Sequence, residues 1–283
     1  MTGRPAGTYD LQLSLTNVKA ERVKKVAALA GRSARSRAGA LLVEGPQSVR
    51  EAVHYAVERV RDLYVTEAAL DRYRDVAEAA LAADRYVHVG TPEVLDAMSS
   101  DAQGIVAVMD DSGVSLDDVI AAKPRLVAVL SNVRDPGNAG TVIRAADAAG
   151  ADAVVLAGQC VDISNPKVVR ATAGSLFHLP VVRSLPFEDA LGALSQAGLQ
   201  VWAADGSGEA TLGDGAADAS AMSAPTAWVF GNEAWGFSED ELSLVDSVVR
   251  IPIYGRAESL NLATAASVCL YASAQAQHHS ERD

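Results

Sequence analysis

The sequence has few of the residues on which common redox, metal and membrane functions depend. Cys160 and Cys269 are the only cysteines among 283 residues, and they form no close pair of the kind seen in redox motifs and zinc sites. No run of about 18 apolar residues occurs, so no membrane-spanning helix is expected. The N-terminal stretch also lacks the apolar core of a secretory signal. A reduced, cytoplasmic protein is therefore predicted.

Motifs for several familiar chemistries are missing as well. The sequence contains no G-x-G-x-x-G and no Walker-type phosphate loop, which removes the usual support for dinucleotide or ATP binding. It contains no G-x-S-x-G nucleophile elbow. The five histidines are scattered without the spacing of zinc ligands, so no metal site is predicted.

Positive charge is scarce overall but is concentrated near the start of the chain. The formal net charge is −12, yet residues 1–40 hold eight Lys and Arg against two acidic residues. A basic arm on an acidic body is typical of nucleic-acid contact, although a solvated helix face would give the same composition. The candidate RNA-binding residues are Arg22, Lys24, Lys25, Arg32, Arg35 and Arg37.

Apolar runs and helical patterns alternate in two blocks, which indicates the α/β class. The second block contains continuous apolar runs typical of strands that are covered on both faces, so a mostly parallel sheet with helices on both sides is predicted. Within it, helices are expected at 139–149, 165–173, 187–197, 238–245 and 259–276. The predicted organisation is a flexible tail (1–16), a basic helix with a small α/β domain (17–110), a linker (111–124), a larger domain (125–277) and a tail (278–283). Residues 32–39 are expected to form a basic connector, and 206–225 a surface loop.

Polar side chains stand at strand-to-helix junctions of the second block. They occur in "SNVRDPGNAGTVIRAADAAG", "VFGNEAWG" and "IPIYGRAESLNLATAASVCLYA". Asn138, Ser259 and Asn261 could each simply cap a helix. Ligands of open α/β sheets, however, bind at the carboxyl ends of strands, where these side chains are expected to lie. The pattern predicts a cluster of one cation, one anion and neutral hydrogen-bonding groups, namely Asn138, Arg144, Glu233, Ser259 and Asn261.

These three stretches resemble, in order and spacing, the three motifs of the SpoU (TrmH-like) class of SPOUT RNA methyltransferases. The similarity covers about residues 125–276 and includes "DISNPKVVRATAGSLFHLPVV", whereas "RAGALLVEGPQSVREAV" resembles the substrate-binding domain that often precedes it. The resemblance implies a trefoil-knotted C-terminal domain, a homodimer, and S-adenosylmethionine as donor for methylation of a ribose 2′-hydroxyl in RNA. Large-subunit ribosomal RNA is the expected substrate.

The resemblance also implies roles for individual residues. Catalytic positions are Asn138, Arg144, Glu233 and Asn261, and Arg144 would either help to deprotonate the ribose hydroxyl or bind phosphate and stabilise the alkoxide. Donor-binding positions are Gly231, Asn232, Ile251, Pro252, Ser259 and Leu260. Three alternatives stay open at this point: a transfer-RNA methyltransferase, a non-catalytic RNA-binding or ribosome-assembly factor on the same fold, and an unrelated nucleotide-binding enzyme.

Overall fold

The structure is a computed structural model that describes residues 11–280. The chain divides into two compact units. The first runs up to Ser112 and also includes Asp162–His178, and the second comprises Gly113–Val161 and the chain from Leu179 onward. In the described residues, no helix has both the length and the apolar character that crossing a bilayer requires.

The first unit is built on a five-stranded sheet with strand order β1-β4-β3-β5-β2. Strand β4 pairs in parallel with β1 and β3, whereas β5 is antiparallel to β3 and β2. The strands are β1 (Leu13–Leu15), β2 (Ala40–Glu44), β3 (Val60–Val65), β4 (Tyr86–Gly90) and β5 (Ile105–Asp110). The helices are α1 (Glu21–Ala28), α2 (Arg32–Ala38), α3 (Pro46–Tyr55), α4 (Glu67–Arg72), α5 (Arg74–Ala82), α6 (Pro92–Met98) and α9 (Pro166–Ala171).

The second unit contains a seven-stranded parallel sheet with strand order β10-β12-β9-β11-β6-β7-β8. Its strands are β6 (Leu126–Ser131), β7 (Ala153–Ala157), β8 (Val181–Leu185), β9 (Gln200–Ala204), β10 (Ala210–Thr211), β11 (Thr226–Phe230) and β12 (Ser247–Arg250). Its helices are α7 (Leu116–Ala121), α8 (Pro136–Ala148), α10 (Phe187–Gln196), α11 (Ala219–Met222), α12 (Glu239–Leu242) and α13 (Leu262–Ser280). The predicted α/β class with a mostly parallel sheet is confirmed.

Strands β6 and β11 form the centre of the second unit. They are adjacent and paired in register from Leu126 with Thr226 to Leu130 with Phe230, and every residue of both strands is buried. Because both faces of β6 and β11 are buried, these strands appear in the sequence as continuous apolar runs. Helix α13 packs on this sheet and on α8. The Trp228 indole on β11 donates a 2.9 Å hydrogen bond to the buried Ser273 hydroxyl on α13, which fastens the helix to the sheet.

Helix α8 begins three residues earlier than predicted. Pro136 occupies its first turn, and the Asp135 carboxylate accepts a 2.7 Å hydrogen bond from the Asn138 backbone N–H. Proline suits a first helical turn because that position needs no N–H donor. The helix cap is therefore Asp135, and the alternative that Asn138 caps this helix is wrong. The Asn138 side chain remains free for other contacts.

The chain ends and connectors also differ from the predictions. Of the predicted tail at 1–16, residues 1–10 lie outside the described residues, but Leu13–Leu15 forms an edge strand. The predicted connector at 32–39 is almost entirely helix α2, and the predicted loop at 206–225 contains β10 and α11. The predicted tail at 278–283 begins inside α13, which extends to Ser280, and 281–283 lie outside the described residues.

The segment Asp162–His178 belongs to the first unit, although the predicted larger domain at 125–277 includes it. Arg170, on α9, pairs with the buried Glu44 at the end of β2 and lies 2.8 Å from the Asp101 carboxylate. No local sequence pattern indicates that this segment joins the first unit, because the segment makes its contacts with residues far away in the chain. The domain boundaries themselves stay a prediction.

Candidate active site

A cleft of about 430 Å³ lies at the carboxyl ends of the central strands of the second unit. Loops that follow β9, β11 and β12 and the start of α8 and α13 form its walls. Eight of the ten predicted catalytic and donor-binding residues line it: Asn138, Gly231, Asn232, Glu233, Ile251, Ser259, Leu260 and Asn261. Residues from three distant parts of the sequence thus meet in one site.

Three of these side chains form a continuous hydrogen-bonded chain. The Asn138 amide nitrogen Nδ2 donates to Oε1 of Glu233 at 2.7 Å. The Asn261 Nδ2 donates to Oδ1 of Asn138 at 3.1 Å. The Asn261 Oδ1 then accepts from the backbone N–H groups of Ala263 at 2.9 Å and Thr264 at 3.4 Å, which are the unpaired donors of the first turn of α13.

The two ends of this chain fix the orientation of both amides. An ionised carboxylate such as Glu233 only accepts hydrogen bonds, so the NH₂ group of Asn138 has to face it. Backbone N–H groups only donate, so the oxygen of Asn261 has to face the start of α13. Between these ends, the oxygen of Asn138 meets the NH₂ group of Asn261, which is the only pairing that satisfies both. The chain is thus oriented by a carboxylate at one end and a helix terminus at the other.

Asn261, and not Ser259, is the residue that caps α13. Its side chain accepts from the first-turn N–H groups, and its carbonyl accepts from Ala265 N at 2.9 Å. Ser259 is exposed, lies before the helix and lines the cleft. Asn261 therefore both caps the apolar helix α13 and contacts Asn138 in the cleft.

Asn232 has a side chain that is already engaged in fixing a loop. It is 7% exposed, its Nδ2 donates to the Asn132 carbonyl at 2.8 Å, and its Oδ1 accepts from Ala234 N at 2.8 Å. Asn132 itself has a positive φ of 55°, a left-handed conformation that asparagine tolerates better than most residues. Asn232 thus joins the loop after β11 to the loop after β6. Because its side chain is used in these contacts, mainly its backbone is available to bind a ligand.

Gly231 is required by a packing contact within the protein. A Cβ at this position would lie 2.9 Å from the ring of Phe237 and 3.1 Å from the Gly236 carbonyl. In the structure, the side that a methyl group would fill faces the Phe237 ring, which itself lines the cleft.

Two predicted site residues do not line the cleft. Arg144 is an exposed residue on α8, and Pro252 is half-buried in the loop after β12. Conversely, the sequence analysis did not predict Asp205 and Glu258, two acidic residues that also line the cleft. Asp205 directly follows β9 in the stretch "WAADG", so the rule applied to the other strand ends would have found it.

Neither cysteine has the environment of a nucleophile. Burial raises the pKa of the Cys160 thiol, and complete burial raises the pKa of the Cys269 thiol far above its usual value. Both groups are therefore neutral thiols near neutral pH. In residues 11–280, no cluster of three or more His, Cys, Asp or Glu is arranged to hold a metal ion.

The basic residues of the first unit fall into two groups. Arg35 is only 4% exposed, and its guanidinium donates to the Leu29 and Ala30 carbonyls and to Asp162 at 2.7 Å, so it has a structural role. The other candidates are exposed: Arg22, Lys24, Lys25, Arg32 and Arg37. A second cleft of about 340 Å³ in this unit is lined by Arg22, Lys25 and Arg61, with Tyr64 among its other walls.

The fold and this site define a class: a parallel-sheet α/β protein whose ligand cleft is built from amides and carboxylates at strand ends. Family models give the class its name. Residues 125–271 match the SpoU rRNA Methylase family, and residues 20–107 match the MRM3-like substrate binding domain. The chain belongs to the SpoU rRNA methylase family, which confirms the predicted resemblance and the predicted kind of enzyme.

Individual relatives agree with this membership. The chain is 32% identical over 253 residues to the 23S rRNA (uridine(2479)-2′-O)-methyltransferase of Streptomyces viridochromogenes, which covers 87% of this chain and 86% of the relative. It is 40% identical over 151 residues to the 23S rRNA (guanosine(2553)-2′-O)-methyltransferase RlmP of Bacillus subtilis, covering 53% of this chain and 58% of that relative. The crystal structure of the SpoU methyltransferase AviRb from Streptomyces viridochromogenes with AdoMet superposes with a TM-score of 0.78 at 31% identity, covering 92% of this chain and all of that one.

Proposed function

We propose that this protein transfers a methyl group from S-adenosylmethionine to a ribose 2′-hydroxyl of large-subunit ribosomal RNA. The observation that carries the proposal is the Glu233–Asn138–Asn261 hydrogen-bonded chain on the wall of the strand-end cleft. Family membership supports the reaction type, and the named activities of the relatives support the RNA class.

The cleft fits a donor of this size and chemistry. Its volume lies within the range of about 300–1,000 Å³ that is usual for small-molecule sites. Phe230, Phe237 and Leu260 give it an apolar wall, and the Asp205 carboxylate gives it an anionic rim. When bound, S-adenosylmethionine supplies an electrophilic methyl group on a sulfonium. An anionic rim suits the positive charge of this donor, and the apolar wall suits its adenine base.

The protein's own groups then have to orient the hydroxyl and stabilise its developing negative charge. Asn138 and Asn261 are held in one orientation, so they supply preorganised polar groups at the site without the cost of reordering them during reaction. Arg144 is proposed to bind the adjacent phosphate and to stabilise the alkoxide, because a guanidinium is a strong donor to both. Since Arg144 lies outside the cleft lining, this role requires that RNA or a second copy of the chain extends the site toward α8.

We further propose that the enzyme is a cytoplasmic homodimer with a trefoil-knotted second unit, as the family resemblance implies. The exposed face of α13, with Val268 at 39% and Tyr271 at 45% exposure, supports a dimer contact there. The exposed cations of the first unit are proposed to hold the RNA backbone, which compensates for the repulsion expected from a chain whose overall net charge is −12.

A transfer assay tests the function directly. Purified protein is incubated with ribosomal RNA and labelled S-adenosylmethionine, and ribose methylation is mapped by resistance to alkaline cleavage. We expect label at a defined 2′-hydroxyl, and loss of transfer in Arg144→Ala with donor binding retained in calorimetry. Arg250→Ala, an exposed arginine of the same unit that does not line the cleft, is the matched control. RNA binding without any transfer by the unmodified protein would identify a non-catalytic binding factor instead.

A further inference from the structure

A short turn beside the cleft presents two side chains in a fixed arrangement. Asn232 and Gly236 form an isolated antiparallel bridge, and Gly236 N donates to the Asn232 carbonyl at 2.9 Å. Gly236 has a φ of +63°, which glycine adopts without strain. The turn is thus closed at its base, and Glu233 and Trp235 extend from its exposed part.

Trp235 is the exposed tryptophan of this chain. It is 55% exposed, whereas Trp202 and Trp228 are 3% and 0% exposed and belong to the core of the second unit. An indole is a large apolar group, and leaving half of it in water forfeits free energy that burial would provide. The position is therefore unusual for a side chain whose only purpose is to stabilise the fold.

A cation lies against this indole and is itself held in place. The guanidinium of Arg134 is 5.3 Å from the centroid of the Trp235 ring, within the range of cation–π attraction. Its Nη2 donates to the Gln159 side-chain oxygen at 3.2 Å, and Gln159 N donates to the Asn132 side chain at 2.8 Å. Arg134 lies between β6 and α8, in the loop that leads directly to Asn138.

The turn after β11 is therefore joined at two points on the surface to the segment that runs from the loop after β6 into the first turn of α8. One is the Glu233–Asn138 hydrogen bond of the catalytic cleft, and the other is the Trp235–Arg134 contact. Because Glu233 and Trp235 are two residues apart on one closed turn, the indole lies next to the site where the ribose is proposed to react. A large exposed ring with a neighbouring cation is the combination on which single-stranded RNA bases stack.

We propose that Trp235 and Arg134 form a stacking platform for an unpaired nucleobase of the RNA substrate, at or beside the nucleotide that is methylated. The base packs on the free face of the indole, and the guanidinium attracts the adjoining phosphate. This inference rests on the proposed function, because it names the part of the RNA that the same site recognises. It also predicts that the target nucleotide lies in a loop, bulge or other unpaired segment and not within a regular duplex.

Binding of short RNAs tests the platform apart from catalysis. The probes are oligo(A) and oligo(U) of about ten nucleotides, the length range of one single-strand binding site, and a blunt RNA duplex of the same length. Affinity is measured by fluorescence anisotropy of labelled probes, and quenching of tryptophan fluorescence reports contact with the exposed indole. Trp235→Ala removes the ring, whereas Trp235→Phe is the matched control that keeps an aromatic face. Donor affinity is measured by calorimetry for each variant.

We expect Trp235→Ala to weaken binding of the single-stranded probes by roughly 5- to 150-fold, the range for stacking one base on an aromatic side chain. Trp235→Phe should retain most of the affinity, and Arg134→Ala should show weaker binding with a smaller salt dependence. Equal probe affinity in Trp235→Ala and the unmodified protein would overturn the platform, as would absence of probe binding by the unmodified protein. A change of mass in sedimentation with unchanged probe affinity would assign the indole to a contact between copies. Failure of the proposed function is distinguishable, because it would appear as no donor affinity and no methyl transfer in the unmodified protein.

Discussion

Asn261 performs two tasks that a pair of substitutions can separate. Its Oδ1 caps α13, and its Nδ2 donates to Asn138 at 3.1 Å. Asn261→Ala removes both. Loss of the cap costs about 1 kcal/mol, and loss of an exposed neutral hydrogen bond adds about 0.5 kcal/mol. Asn261→Asp keeps the cap, because asparagine and aspartate cap helices equally well, but it replaces the donor with an oxygen that faces the Asn138 oxygen.

The two variants should therefore differ in stability but agree in activity. We expect Asn261→Ala to lower the free energy of unfolding by about 1.5 kcal/mol in urea, and Asn261→Asp to stay within about 0.5 kcal/mol of the unmodified protein. Both should lose methyl transfer by roughly 100-fold, the scale for misplacing a positioning group by about 1 Å. Ser115→Ala, which removes the side-chain cap of α7, is the control for a lost cap alone and should leave transfer unchanged. Full activity in Asn261→Asp would refute the role of the hydrogen-bonded chain.

Three further substitutions test other parts of the structure. Glu233→Gln exchanges a charge-assisted hydrogen bond for a neutral one, so single-turnover transfer should fall by about tenfold while donor affinity measured by calorimetry stays constant. Gly231→Ala places a methyl group 2.9 Å from the Phe237 ring and should cost about 1–3 kcal/mol in urea unfolding; unchanged stability would show that the ring moves freely. Arg170→Met leaves the buried Glu44 carboxylate without its ion-pair partner and should cost about 1–3 kcal/mol, of which adding Glu44→Gln should recover part; no recovery would count against the ion-pair explanation.

Local sequence predicts the parts of the fold that are determined by residues close together in the chain. The apolar runs of β6 and β11 are recognisable because both faces of each strand are buried. Helix boundaries were less accurate where a side chain further along could act as a cap. Asp135 and Asn138 are both good caps, and Pro136, which suits the first turn of a helix, is the sequence signal that favours Asp135, the cap in the structure.

Local sequence could not predict that Asp162–His178 belongs to the first unit, and the reason is physical. Its anchors are ion pairs and hydrogen bonds to residues more than 50 positions away, such as Ser164 with Asp111 at 2.8 Å and Arg35 with Asp162 at 2.7 Å. The same reason explains why the sequence predicts Arg35 to be an RNA-binding residue. A guanidinium buried by a distant segment and an exposed one look identical in a basic stretch of sequence.

For the candidate site, the residue types were predictable and their partners were not. The cluster of Asn138, Glu233 and Asn261 followed from the rule that strand ends of a parallel sheet meet at one edge. The order of their hydrogen bonds depends on side-chain directions that no spacing specifies. The roles of these residues in catalysis stay predictions, and the position of Arg144 outside the cleft lining makes it the residue whose role most needs the transfer assay.

The energies of the hydrogen bonds between Asn138, Glu233 and Asn261 indicate that they do not hold the fold together. Asn138 and Asn261 lie 123 residues apart, Asn138 and Glu233 lie 95 apart, and both hydrogen bonds are exposed to solvent. Exposed hydrogen bonds of this kind contribute about 1 kcal/mol or less each, so they cannot be what brings such distant segments together. The segments are brought together by the buried pairing of β6 with β11 and by α13 packed on that sheet. The polar chain is therefore a consequence of the fold and not its cause, and the proposed function predicts that it serves to hold two amides in one orientation for a substrate.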